Sequence, residues 1–341
     1  MELTESRARD LTAWSVLWAS RRGWKAWESL GSEAWERRRE LGCKLPPLVG
    51  QPLSSLTEVD VRRTLDEANK YSIVGSRVGD SRFSFEGSPP FIYLEGNPPP
   101  KEVVAIVGTR RCDRWARSAT RHLSEGLARA GISTISGLAK GVDGSAHEGS
   151  LAGNVPTWAV LGTAIDRTYP AGHRELRQRI LEQGGGILSE FPPGVPTQPS
   201  HFPRRNRIVS GLSSLVVAIQ AGPKSGTLHT IRWALDQGVE VQVVPGPLGD
   251  SAWAGSSRML EEGATPCLGV HSVLDWLGYS PRFVPPSTDP IATLLESGAM
   301  TEDTLESHWE SDTPFFAALT QAELAGAIRR RRDGRWETTT T

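Results

Sequence analysis

Only three cysteines occur in 341 residues, Cys43, Cys112 and Cys267, and they stand far apart. They form no CxxC pair and no disulfide framework, which fits a reducing compartment. Charge of one sign is also lacking: 38 Lys and Arg face 39 Asp and Glu, for a formal net charge of −1. A uniformly basic nucleic-acid coat is thereby excluded, whereas a local basic site is not. No apolar run approaches the roughly 20 residues a membrane helix needs. The opening residues, Met-Glu-Leu-Thr-Glu-Ser-Arg, hold no apolar signal-peptide core. Together these absences predict a soluble, cytoplasmic protein with no membrane partner. What is present suffices for a core: 38% of residues are apolar and 23% charged, a balance that argues against wholesale disorder. At roughly 150 residues per domain, the length predicts two or three domains.

Residues 1–85 read as an N-terminal helical region. Trp14 and Trp18 are four apart, and Trp24 and Trp27 three apart, so each pair shares a helix face. A tryptophan-rich core and a base-stacking face are both open readings there, the second only if the rings are exposed. From residue 103 the pattern changes. Short β-branched runs at 103–107, 132–136, 156–161, 186–189, 215–219 and 239–244 alternate with helical patterns near 114–130, 143–153, 173–183, 204–213 and 226–237. Such alternation predicts right-handed βαβ units and a mostly parallel sheet covered on both faces. The expected fold is α/β, with a doubly wound, Rossmann-like domain over 86–280. Residues 281–289 read as a linker. Beyond it three short helical patterns precede an Asp333-Gly334 pair set between strand-like runs, a hairpin signal. Three helices and a hairpin over 288–341 predict a winged-helix domain.

In doubly wound sheets ligands bind at the carboxyl ends of the strands, so the loops there carry the argument. The first holds Gly108, Thr109, Arg110 and Arg111. A glycine at a strand end admits a phosphate to backbone N–H groups, and the arginines add charge-assisted hydrogen bonds. Arg114, Arg117 and Arg121 carry positive charge along the next helix. The loop is not a GxGxxG fingerprint, so a dinucleotide is not indicated. The second holds Ser136, Gly137 and Lys140, then Asp143 and His147 four apart. That pair reads either as an oriented general base or as a helix cap with a structural histidine; no nucleophile adjoins it. His147-Glu148 lacks the second histidine of HExxH, so no metal is expected. Tyr169, in a third loop, suits base stacking or the cover of a core edge.

The fourth segment sets Pro203 before Arg204, Arg205, Asn206 and Arg207 at a helix start. Cations there oppose the helix dipole, which suggests an anion between them; salt bridges to Asp143, Asp166 or Glu190 are the other reading. The fifth, Lys224, Ser225, Gly226 and Thr227, forms another anion cradle. It is not a Walker A loop, so NTP hydrolysis is not indicated. Arg, Lys, Gly and small hydroxyls along one sheet edge suit an extended phosphate backbone better than a small metabolite. No cofactor and no catalytic residue is expected.

These segments resemble the DprA/Smf family of DNA-processing proteins. The resemblance is carried by seven ordered motifs, at 107–110, 136–147, 159–170, 189–194, 202–208, 225–230 and 244–246. It implies a non-enzymatic, single-stranded DNA-binding protein, a homodimer through the Rossmann-like domain, that loads RecA recombinase during natural transformation or recombination. By motif position Arg110 and Arg205-Asn206-Arg207 would contact DNA, with Lys140, Lys224, Ser225 and Thr227 as further candidates. Gln220 stands where the family often has glutamate; His229 and Trp233 replace smaller or aliphatic residues. Competing readings are a nucleotide phosphoribohydrolase of the LOG type and a protein-interaction or nucleotide-sensing module. The first lacks its catalytic glutamate, whose position Thr230 occupies.

Overall fold

The computed structural model describes residues 70–75, 80–279, 290–295, 298–309, 313–324, 327–331 and 333–338. The tryptophans expected on N-terminal helices, and the linker at 281–289, lie outside the described residues. The chain divides into two compact units, Met1–Leu277 and Gly278–Thr341.

The first unit is an α/β sheet of nine strands. In chain order these are β1 (Ser72–Val74), β2 (Ile92–Gly96), β3 (Val104–Val107), α1 (Arg114–Arg129), β4 (Thr134–Ser136), α2 (Val142–Ala152), β5 (Thr157–Val160), α3 (Arg174–Glu182) and β6 (Gly186–Ser189). There follow α4 (His201–Gly211), β7 (Leu215–Ala218), α5 (Thr227–Asp236), β8 (Glu240–Val243), α6 (Ala254–Glu261), β9 (Thr265–Pro266) and α7 (Val270–Trp276). The spatial order is β1-β2-β6-β5-β4-β3-β7-β8-β9. Strands β3 to β9 are parallel, and β2 joins β6 antiparallel, with β1 beyond it.

Every residue of β3 to β7 is buried, as expected of β-branched runs with helices on both faces. Side chains alternate between two cores: Ala159 and Ile187 face one, Val160 and Leu188 the other. Helix α1 starts where Asp113 accepts the Ala116 N–H at 2.7 Å. Its buried Ala116, Thr120, Leu123 and Leu127 recur at helical spacing and face inward.

The expected strands and helices are present, and two boundaries differ. Helix α4 begins at His201, not 204, which puts Pro203 in its first turn. Amide groups there have no intrahelical partner, so proline costs no hydrogen bond. The sheet also reaches further toward the N-terminus than expected. Strand β1 falls inside the stretch read as helical, because its Ser-Ile-Val run is too short to register as a pattern and is held by pairing with β2.

The second unit contains α8 (Pro290–Leu294), α9 (Glu302–Ser307), α10 (Phe315–Leu324) and the antiparallel strands β10 (Ile328–Arg330) and β11 (Trp336–Thr338). Thr301 caps α9 by accepting the Thr304 N–H at 3.4 Å. Ile291, Leu305, Leu319, Ile328 and Trp336 form its core. Gly334, at φ 84°, supplies the left-handed turn residue of the hairpin.

Candidate nucleic-acid interface

Sheet order reverses at β3, which leads leftward to β4, β5 and β6, while β7 and β8 lie on its other side. Loops on the two sides of such a point diverge and leave a crevice at the strands' carboxyl ends. Here the crevice is a cleft of about 830 Å³, lined by the loops after β3, β4 and β7 and the first turn of α4. It gathers all the predicted site residues except Ser136, Lys140 and Arg207. Asp143 lines it as well, but His147 does not.

Three exposed cations stand at the cleft: Arg110, Arg111 and Lys224. None of the three is paired with a carboxylate among the described residues. The Arg110 guanidinium lies 4.9 Å from the centre of the Phe202 ring, within cation–π range. Phe202 in turn meets Tyr169 at 5.3 Å, and Tyr169 is 52% exposed. A cation and two rings thus form one continuous rim. On the opposite side Ser225 Oγ donates to Thr227 Oγ1 at 2.9 Å and accepts the Thr227 N–H at 3.3 Å, fixing the loop that opens α5. Asn206 donates from Nδ2 to Gly226 O at 3.5 Å, joining α4 to that loop.

The floor is built differently. Arg205 is buried, and its Nη1 donates to Gly137 O at 2.6 Å and also to Val160 O. The guanidinium lies directly against the Gly137 Cα, where any side chain would collide with it. Burial lowers the Arg205 pKa to about 10, against the favourable field of Asp143. Burial likewise raises the Asp143 carboxyl above its ordinary value, although Arg205 and Arg110 pull it down. Asp143 was expected as a helix cap. It is instead the second residue of α2, and its Oδ2 accepts the Ala139 N–H at 3.3 Å, closing the loop. Gly141 takes the cap position, because φ there is 80°.

Arg207 turns away from the cleft into the interior. Its Nη1 and Nη2 bond both oxygens of Glu190, at 2.8 and 2.7 Å, and its Nε donates to Gly87 O at 2.6 Å. Arg204 adds a second ion pair to the same carboxylate at 3.4 Å. Burial pushes the Glu190 carboxyl up, but the two arginines prevail and hold it below the usual range. Arg207 therefore anchors α4 to the strand end after β6, the salt-bridge reading weighed from sequence. Ser136 is fully buried and donates to Ile106 O at 2.6 Å, tying β4 to β3. Lys140 is exposed but lies off the cleft.

Residues 80–278 match the family model described as DNA recombination-mediator protein A. This chain belongs to that family. It is 40% identical over 182 residues to Protein Smf of Escherichia coli, a match covering 53% of this chain and 49% of that relative. Its fold resembles DNA processing protein A from Streptococcus pneumoniae, at TM-score 0.64 and 26% identity over 81% of this chain and 98% of that one. It also resembles the Helicobacter pylori DNA processing protein A, solved for its single-stranded DNA binding mode. There the TM-score is 0.53 and the identity 29%, over 61% of this chain and 95% of that one. The chain spans about half the length of several relatives it matches. No helix among the described residues is long and apolar enough to cross a membrane.

Within this DNA recombination-mediator family member, Gln220 and Asp113 form a reciprocal pair. Gln220 Nε2 donates to Asp113 Oδ2 at 2.7 Å, and the Asp113 N–H donates to Gln220 Oε1 at 3.1 Å. Trp253 Nε1 donates to the same carboxylate oxygen at 2.9 Å. Burial raises the Asp113 carboxyl, but these bonds and the Ala116 N–H outweigh it and lower the pKa overall. Gln220→Glu would set two carboxylates face to face. The expected cost is about 1–3 kcal/mol, as a fall in the urea midpoint that is larger at pH 8 than at pH 5. An equal or smaller loss at the higher pH would contradict the pairing.

His147 lies in the interior. It is fully buried, and Nδ1 lies 2.9 Å from Thr157 Oγ1, in a cluster with Thr134 and Ser150; Nε2 has no hydrogen-bond partner among the described residues. Burial, reinforced by His173 and Arg205, lowers its pKa from 6.5 to about 3. Burial also lowers His201 to about 4, against the pull of Glu190. Both histidines take up a proton more readily unfolded than folded, so stability is full above pH 6.5 and declines as pH falls toward 4. The expected slope is up to about 1.4 kcal/mol per pH unit for each. Asp143 acts in the opposite sense, so the check is a difference. His147→Gln should flatten the decline in urea-unfolding stability, and an unchanged slope would rule His147 out as its source.

The sequence reading gave Phe202 no role of its own and named Glu190 only among three carboxylates open to the arginines. Phe202 carried a usable signal: an aromatic residue one turn before an arginine cluster, at a strand-end helix start. Glu190 offered none locally, because its partners lie on another element.

Proposed function

We propose that this chain binds single-stranded DNA in the cleft at the ends of β3, β4 and β7, without catalysis. It passes that strand to a RecA-type recombinase, acting as a homodimer in the cytoplasm. The observation that carries the reading is the rim: free guanidinium and ammonium groups beside the exposed Tyr169 ring and the half-buried Phe202 ring. Cations recognise phosphates in any sequence, and rings stack on unpaired bases, which a duplex keeps hidden. The Helicobacter pylori relative named for that ligand supports the same choice. Carboxylates do not favour the LOG-type alternative. Asp113 and Asp143 hold loops in place, and Thr230 is buried where that chemistry needs a glutamate.

The exposed Leu235 and Leu268, on α5 and after β9, offer apolar surface for a second copy. Helices α8, α9 and α10 with the β10–β11 hairpin form a winged helix in this reading, an accessory DNA contact. The test is fluorescence anisotropy with single-stranded and duplex oligonucleotides across a salt series. Tight, salt-steep preference for the single strand supports the proposal. Absence of binding to either at low salt overturns it.

A further inference from the structure

Helix α1 carries a basic stripe that the cleft does not use. Arg114 and Arg117 are exposed, and neither is paired with a carboxylate among the described residues. Arg121 continues the line, 3.7 Å from Glu148, with both side chains open to solvent. Trp115 beside them is 54% exposed, its ring held edge-on by Trp253 at 5.3 Å. Trp115 packs one side of its ring on Trp253 and leaves the rest open, and the carboxylate at the start of α1 is the capping Asp113, engaged by the Ala116 N–H. The stripe is continuous with the cleft, since Arg110 and Arg111 precede α1 and line it. Along the helix axis Arg114, Arg117 and Arg121 rise by about 4.5 and 6 Å, so each can meet a separate phosphate of an extended strand.

We infer that the outer face of α1 is a second track for the same single strand, which leaves the cleft past Arg111 and runs along Arg114 and Arg117, with Trp115 on the flank next to Arg114. The partner is a phosphodiester backbone with unpaired bases: arginines meet phosphates and the indole stacks on a base. This inference rests on the cleft reading and adds a length requirement to it. A short oligonucleotide fills the cleft alone, whereas a longer one reaches α1.

The experiment is anisotropy on the full chain with labelled oligothymidylates of about 6 and about 20 nucleotides, lengths that bracket single-strand site sizes. The Arg114→Ala/Arg117→Ala double variant should bind the long strand about tenfold more weakly and lower its salt slope by about 1.4, two phosphates at 0.7 each. Its affinity for the short strand should stay within about twofold, and Arg114→Lys/Arg117→Lys should recover most of the loss. An unchanged affinity for the long strand, or an equal loss with both lengths, overturns the track and leaves the cleft standing. A wild-type chain that binds neither length overturns the cleft reading, and the track with it. Loss on the long strand in this double variant, with Arg110→Ala harmless on both lengths, removes the cleft and with it a track that starts there.

Discussion

Arg110→Ala is expected to weaken single-stranded oligonucleotide binding by about ten- to a hundredfold. The range follows from losing a charge-assisted hydrogen bond, about 1.5–3 kcal/mol, at about 1.4 kcal/mol per tenfold. The salt slope should fall by about 0.7, one phosphate contact. The fold should suffer little, because Arg110 is exposed, rests on the face of Phe202 and acts on the buried Asp143 only through space. Unchanged affinity with an unchanged slope, in a protein of normal thermal stability, would take the rim out of the mechanism. Arg205→Ala is not an equivalent probe. Its guanidinium sits beneath the cleft against Gly137 and faces Asp143, so its removal leaves a buried carboxylate without its counter-charge. Any loss of binding in that variant would be mixed with loss of the floor.

The largest stability effect should come from Glu190→Ala. The carboxylate is fully buried and holds Arg207 through two bonds and Arg204 through another. Assembling such a group costs desolvation on both sides, so its net contribution is modest; breaking it from one side is not. Glu190→Ala takes the shared carboxylate from two guanidinium groups on α4 and is expected to cost about 3–5 kcal/mol. Urea unfolding followed by circular dichroism measures this. A loss below about 1 kcal/mol would mean that solvent reaches the arginines after all. The double variant Glu190→Gln/Arg207→Met should recover part of the loss, since it removes charge from both sides at once. If the double variant is no better than the sum of its singles, the interaction is not the source of the cost.

Much of this architecture was legible before any coordinates. Runs such as 103–107 and 215–219 are apolar at every position, and only a strand covered on both faces tolerates that. Glycines, arginines and small hydroxyls fell in the loops after those runs, so the parallel alternation alone brought them to one edge. The strands β1 and β2 were not legible. Strand β2 joins β6 antiparallel across about 90 residues and β1 in turn pairs with β2, so neither carries a local period to read.

The sequence by itself determined the element types from β3 to β8, the parallel connection of those strands, and which loops face the cleft. Those follow from local periodicity and from the single hand of βαβ crossovers. Tertiary structure alone decided the fate of the individual arginines. Residues 204 to 207 are consecutive on a helix, so their side chains point about 100° apart and no spacing rule ranks them. Arg207 turned inward because Glu190 waits there on another element, and Arg205 because Gly137 leaves room for a guanidinium. Arg110 stayed outside with its guanidinium on the face of Phe202: no carboxylate among the described residues bonds it, and Asp143 acts on it only through space. Whether a basic side chain serves the fold or a ligand depends on which carboxylates and carbonyls surround it, and those neighbours come from distant parts of the chain.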